Sequence, residues 1–327
     1  MQSTLKLSAI LLILGLFSIA LLSLTAADKI SAQEKAARQE LIKESNRILF
    51  LGDSITYSGS YVTYFELWLR QQPWLEEMPL VINTGLSSET VSGLTEDGHA
   101  GGMFPRPDLA ERIDRVLETV KPDLVFACYG MNCGIYQPLD EGRFAKYKAG
   151  INMLREKVGA CGAKLILITP PYHDDQVANK EFSYNGVLDA YSEWLLSLRA
   201  EGVRVIDLHS AMTAAVERER ETNPQFTFQK DAVHPDLAGH WAIARPIIGW
   251  FGDDDSATAS SVEEMLKRVR KPGDVIQMQH QQMAVLRDAY LTTAGHTRPG
   301  VAKGKSIPDA EREAAELETR LNVAIGN

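Results

Sequence analysis

Residues 48–56 read ILFLGDSIT: four apolar residues, Ile48–Leu51, run without a polar break into Gly52-Asp53-Ser54. A run this short, ended by glycine, has the length of a strand covered on both faces. The pattern returns at Leu80–Ile82, Leu124–Cys128, Leu165–Ile168 and Val203–Ile206. Stretches of helical period separate the runs. Within Asp108–Val120, the residues Leu109, Ile113, Val116, Leu117 and Val120 recur at i, i+4, i+7, i+8 and i+11 and gather on one helix face. Pro107 suits the first turn of that helix and Lys121-Pro122 its end. Phe144–Val158 and Val187–Ala200 read likewise, with Gly159 and Gly202 at the C-caps. Strands alternating with helices predict a parallel five-stranded sheet with helices on both faces. In such sheets ligands sit beyond the C-terminal ends of the strands.

The rest of the chain is organised around this core. At 327 residues, with 45% hydrophobic and 24% charged, it holds enough apolar material for one large α/β domain with extensions. Thirty-four Lys and Arg against 43 Asp and Glu give a net charge of −9, which excludes a nucleic-acid backbone as the partner of the whole chain. Cys128, Cys133 and Cys161 are too few for a disulfide framework and lack the spacing of a zinc site; Cys128 lies in an apolar run and is expected to be buried. The histidines outside residue 234 form no ligand cluster, and no metal or other cofactor is expected. The reading divides the chain into residues 1–27, a polar helical spacer at 28–45, the sheet domain at 46–252, and a linker with a helical extension at 253–327. Beyond the linker the helical stretches are Val262–Lys271, Val275–Thr293 and Asp309–Val323.

The chain opens with Lys6, an apolar run from Leu7 to Leu24, and the small residues Thr25-Ala26-Ala27. This order reads as a secretory signal, while a run of 18 residues approaches the length of a membrane anchor. Either reading puts the body of the protein outside the cytoplasm, released or tethered.

Four short motifs carry the chemistry, each just after an apolar run or past the fifth. Gly52-Asp53-Ser54 follows the first run, and Asn83-Thr84-Gly85 the second. Tyr129-Gly130-Met131-Asn132 follows the third, and Asp231-Ala232-Val233-His234 comes after the fifth. Each also has an ordinary reading: a phosphate-binding turn or N-cap serine, a turn glycine, a loop asparagine, a surface histidine ahead of a helix. An Asp three residues before a His can take one ring nitrogen and leave the other for a serine hydroxyl, as in a triad.

Together, in this order, the motifs resemble those of the SGNH, or GDSL-type, hydrolases. The resemblance covers about residues 47–251. It implies a three-layer α/β/α sandwich of flavodoxin-like type and ester hydrolysis through an acyl-enzyme, with Ser54 as nucleophile, His234 as base and Asp231 orienting it. It also implies an oxyanion hole built from the Ser54 and Gly85 amides and the Asn132 side chain. Two departures stand out: Cys133 replaces the frequent Asp after the asparagine, and Ser88 stands near the place of a further glycine.

The loops 95–107 and 170–175 supply Phe104, Arg106, Tyr172 and His173 as pocket residues, with simple loop packing an equal alternative for each. Aromatic and polar groups without a long apolar lid suit a sugar ester. The resulting expectation is an exported esterase that removes O-acetyl or other short acyl groups from a carbohydrate. A lipid or thioester acylhydrolase and a non-catalytic glycan-binding relative are the competing readings.

Overall fold

The computed structural model describes residues 30–326; the apolar segment expected to be a signal or an anchor lies outside them. Strands β1 (Arg47–Gly52), β2 (Leu80–Asn83), β3 (Leu124–Cys128), β4 (Lys164–Ile168) and β5 (Arg204–Ile206) form one parallel sheet in the order β2-β1-β3-β4-β5. Leu49 lies opposite Ile82 on one side and Val125 on the other. Every residue of β1 after Arg47, and all of β3, is buried. Side chains alternate between sheet faces, so both faces must be covered.

The cover is helical: α1 (Ala32–Lys43), α2 (Ser54–Ser58), α3 (Ser60–Leu69), α4 (Leu109–Val120), α5 (Glu141–Ala160), α6 (Asp175–Ala178), α7 (Asn185–Ser197), α8 (Leu208–Arg220) and α9 (Leu237–Trp250). Aspartates start many of them, accepting a main-chain N–H of the first turn: Asp108, Asp140, Asp207 and Asp236 cap α4, α5, α8 and α9. Part of the acidic excess is therefore capping. Stacked Phe50 and Phe126, 4.7 Å apart, with Phe65 and Phe251 around them, form the aromatic centre between β1, β3, α3 and α9.

Several boundaries differ from the sequence reading. Asp108, not Pro107, opens α4. Helix α5 runs through Gly159 to Ala160, and the residue with positive φ after it is Gly162. Gly202 caps the short 3-10 turn Leu198–Glu201 that follows α7, as expected. The stretch Val262–Lys271 is helical only as α11 (Val262–Met265); Pro272, which holds Lys271 out of helical geometry, starts a new helix. The linker holds a short helix, α10 (Asp254–Thr258), capped by Asp253.

Neither flank hangs free. On α1, Leu41 and Ile42 are buried, and Arg38 donates to the Trp250 carbonyl at 2.6 Å, so the helix at residues 32–43 docks on the sheet domain. At the other end, α12 (Pro272–Ala294) packs on α3, α4 and β2, and α13 (Ile307–Ile325) packs on α12. Cys128 and Cys133 are buried thiols and Cys161 is exposed.

Candidate active site

The strand order reverses between β1 and β3, so the loops that leave these neighbouring strands diverge and open a crevice at their C-terminal ends. Ser54 sits at that point, the first residue of α2. Asp53 caps the turn, its Oδ1 accepting the Ile55 amide at 3.0 Å. Burial pushes the Asp53 carboxyl up to about 6, against that hydrogen bond and the His234 ring.

The crevice brings three of the named residues into one chain of hydrogen bonds. Ser54 Oγ lies 2.8 Å from His234 Nε2, and His234 Nδ1 lies 2.6 Å from Asp231 Oδ2. A carboxylate only accepts, so Nδ1 carries the ring proton and Nε2 is left as the acceptor for the serine hydroxyl. The other Asp231 oxygen accepts the main-chain amides of His234 (2.7 Å) and Val233 (3.0 Å). Burial opposes the Asp231 charge, yet these amides and the ring together hold its pKa below the usual carboxylate range. The loop itself is anchored from below. The Asp174 amide donates to the Ala232 carbonyl at 3.0 Å, and Arg220 clamps the buried Asp174 carboxylate at 2.7 and 2.8 Å.

Asn132, from the loop after β3 at the same sheet edge, is buried and donates through Nδ2 to the Glu89 carbonyl at 3.3 Å. Gly85 follows the last residue of β2 by two positions. Its amide donates to Asn83 Oδ1 at 2.8 Å, so that N–H is already committed within the protein. Glycine is required there for space instead: a Cβ would lie 2.5 Å from the Tyr57 nitrogen, against the back of α2. Three residues on, Ser88 adopts a left-handed φ of 70°, at the position where the resemblance has a further glycine.

The loop residues divide. Tyr172 and His173 are packing groups: the Tyr172 hydroxyl accepts from Arg220 at 3.2 Å, and buried His173 holds Asp175 at 2.7 Å. Phe104 lies under the Arg298 guanidinium, 4.6 Å away, and so meets the C-terminal extension. Arg106 stays near the crevice. It makes two 2.6 Å bonds to Glu96, one 3.4 Å bond to the Ser88 carbonyl, and lies 5.4 Å over the Tyr136 ring.

Sequence reasoning missed the groups underneath. Buried Glu89 is gripped by Arg112 at 2.6 and 2.7 Å and receives the Tyr129 hydroxyl at 2.6 Å, and Arg112 also donates to the Thr84 carbonyl. This ion pair ties the loop after β2, which carries Ser88, to α4 and β3. Two charged residues 23 positions apart give no local signal of such a pair.

Residues 50–242 match the model of the GDSL-like lipase/acylhydrolase family. The chain belongs to this family. The match runs from β1 into α9, so for this GDSL-like protein α12 and α13 lie outside the family region. Among solved structures it is similar to a catalytic mutant of an acetylxylan esterase from Geobacillus stearothermophilus, with 23% identity over 63% of this chain and 94% of that one and a TM-score of 0.48. An α/β hydrolase from a Lake Arreo metagenome shares 24% identity, covering 64% of this chain and 96% of its own, with a TM-score of 0.48. The lipase/acylhydrolase of Enterococcus faecalis shares 22% over 62% and 93%, with a TM-score of 0.45. No curated protein shows significant similarity to the sequence.

Proposed function

We propose that this protein is an exported serine esterase that removes short acyl groups, chiefly O-acetyl, from a carbohydrate. The observation that carries the reading is the hydrogen-bonded run Ser54–His234–Asp231 at the switch point of the sheet. In this proposal the Ser54 hydroxyl attacks the ester carbonyl as His234 Nε2 takes its proton. The oxygen that gains charge is met by Asn132 Nδ2–H and by the Ser54 amide, which as the first residue of a helical turn has no acceptor within the helix. The Gly85 amide, the third donor of the expected oxyanion hole, is bonded to Asn83 Oδ1. Each such donor is worth about 2.7–4 kcal/mol in the transition state. His234 then protonates the leaving alcohol, and a water attacks the acyl-Ser54 carbonyl by the same route in reverse.

The substrate class is inferred from openness. The His234 and Asp231 side chains are 51% and 56% exposed, so the reacting groups lie in a shallow site. Such a site admits an ester borne on a bulky polymer and does not enclose a long acyl chain. The signal-like or anchor-like start of the sequence supports a location outside the cytoplasm, released or membrane-tethered.

One observation favours a second reading, a lipid or thioester acylhydrolase. Met103, Leu139, Val177 and Leu237 are large apolar side chains left exposed, and they sit on the segments after β2, β3, β4 and the His234 loop. The first three of these segments leave the C-terminal ends of the strands, the sheet edge at which the crevice opens. Acetate release from a panel of acetylated polysaccharides, run beside short- and long-chain nitrophenyl esters, decides between the two. Strong preference for long chains overturns the carbohydrate reading. Wild-type protein that neither turns over esters nor is labelled by a fluorophosphonate supports a non-catalytic glycan-binding relative.

A further inference from the structure

Asn132 is held from its oxygen as well as its nitrogen. The Tyr136 hydroxyl donates to Asn132 Oδ1 at 3.0 Å, while Nδ2 donates to the Glu89 carbonyl at 3.3 Å. A carboxamide turned by 180° would set Oδ1 against that carbonyl, oxygen facing oxygen, so the two contacts together select one orientation. Glu89 uses one Nδ2 hydrogen, and the second is left over.

The backbone that delivers Tyr136 is unusual. Ile135 and Tyr136 are consecutive non-glycine residues with left-handed φ of 48° and 54°, and a β-branched residue rarely adopts that conformation. The surroundings hold it in place. The Ile135 amide donates to the Asn132 carbonyl at 2.9 Å and the Gln137 amide to the Gly134 carbonyl at 3.1 Å. The Tyr136 ring lies 4.8 Å from that of Tyr184, whose hydroxyl donates to the Met131 carbonyl at 2.9 Å. Arg106 and Lys180 each lie 5.4 Å from the Tyr136 ring centroid. This double reversal of the chain turns the ring back toward the end of β3, where its hydroxyl meets Asn132. Burial raises the pKa of the phenol, which therefore remains a donor.

We propose that Tyr136 is a positioning residue, its phenol holding the Asn132 carboxamide so that the spare Nδ2 hydrogen faces the oxygen that becomes negative during acyl transfer. The proposal rests on the hydrolase reading above. Its effect belongs to the transition state, because the ground-state carbonyl carries little charge to stabilise.

The test is a double-mutant cycle of Tyr136→Phe and Asn132→Ala, followed with a nitrophenyl acetate. Phe keeps the ring packing and removes only the hydroxyl. Tyr136→Phe is expected to lower kcat about 3- to 10-fold, the weight of one hydrogen bond, and to leave KM unchanged. In the Asn132→Ala background the same change is expected to have no further effect, since the group it positions is gone. Equal losses in both backgrounds, a loss confined to KM, or no loss overturns the proposal. Ser54→Ala run alongside separates the two readings. If it abolishes turnover while the cycle is additive, only the role of Tyr136 falls; if it leaves turnover intact, the hydrolase reading falls.

Discussion

Arg287, in the C-terminal helix α12, donates to the carbonyl of Tyr57 at 2.7 Å and lays its guanidinium 4.1 Å from the Tyr57 ring centroid. Tyr57 stands three residues after Ser54. From the same helix, Met283 Sδ accepts from Asn83 Nδ2 at 3.4 Å and lies directly against Gly59. The extension beyond the family region is thus part of the floor beneath the turn that carries the proposed nucleophile.

Arg287→Ala is expected to cost about 1.5–3 kcal/mol, the range for a hydrogen bond from a charged donor, and to lower kcat as the turn loosens. Arg287→Lys is expected to recover little, because a point ammonium reproduces neither the planar stack nor the directed bond. Chemical denaturation and kcat measured on the same samples check both. Wild-type stability in the alanine variant would separate the extension from the site.

Within the proposed mechanism, Ser54→Ala is expected to reduce kcat by about 10⁴-fold or more and to end labelling by a fluorophosphonate. Asp231→Asn offers His234 Nδ1 an amide instead of a carboxylate and favours the wrong ring tautomer. A fall of about 10³- to 10⁴-fold is expected, with the fold unchanged by circular dichroism. Near-wild-type rates in either variant would remove the triad from the mechanism.

Gly85→Ala tests the packing role assigned to that residue. Its Cβ would sit 2.5 Å from the Tyr57 nitrogen and 2.7 Å from the Thr56 carbonyl carbon, both backbone atoms that a side-chain rotation cannot clear. About 1–3 kcal/mol of destabilisation is expected from the overpacking, with lower activity as α2 shifts. A variant with unaltered melting temperature and activity would contradict the close approach.

Glu66 faces the C-terminal hairpin and is buried with one carboxylate oxygen lacking a hydrogen-bond partner. Burial, partly offset by Arg70, raises its pKa from 4.5 to about 8. The folded state then binds more protons than the unfolded state between those values, so stability falls as pH rises through that window. Glu66→Gln is expected to flatten this dependence and to gain a few kcal/mol relative to wild type at pH 8 and above. Asp53→Asn should act in the same direction over a window that closes at about 6, because the amide oxygen can still cap α2. Urea titrations of the three proteins at acid and alkaline pH read the differences. Parallel curves for wild type and Glu66→Gln would show that Glu66 does not carry the dependence.

Local pattern determined much of this protein. Short apolar runs, alternating with stretches of helical period, fit strands covered on both sides, and they announced the parallel sheet and its C-terminal edge. The spacing of Asp231 and His234 announced a carboxylate bonded to a ring nitrogen, since three residues in one loop suffice to close that contact. Other features depend on loop conformation or on partners far along the chain, and only the tertiary structure decided them. Gly85 looked like a donor because a strand-end glycine often is one; the side chain of Asn83, two residues earlier, had already taken its amide. Tyr136 reads as a loop aromatic until two left-handed residues fold it back onto Asn132. The Glu89–Arg112 pair and the Arg287–Tyr57 bond join residues 23 and 230 positions apart. A sequence shows the periodicity of an element, because that is written within a few turns of chain. It does not show which hydrogen-bonding groups are already satisfied, because loop conformation and distant partners are fixed only when the sheet, its loops and the C-terminal helices pack together.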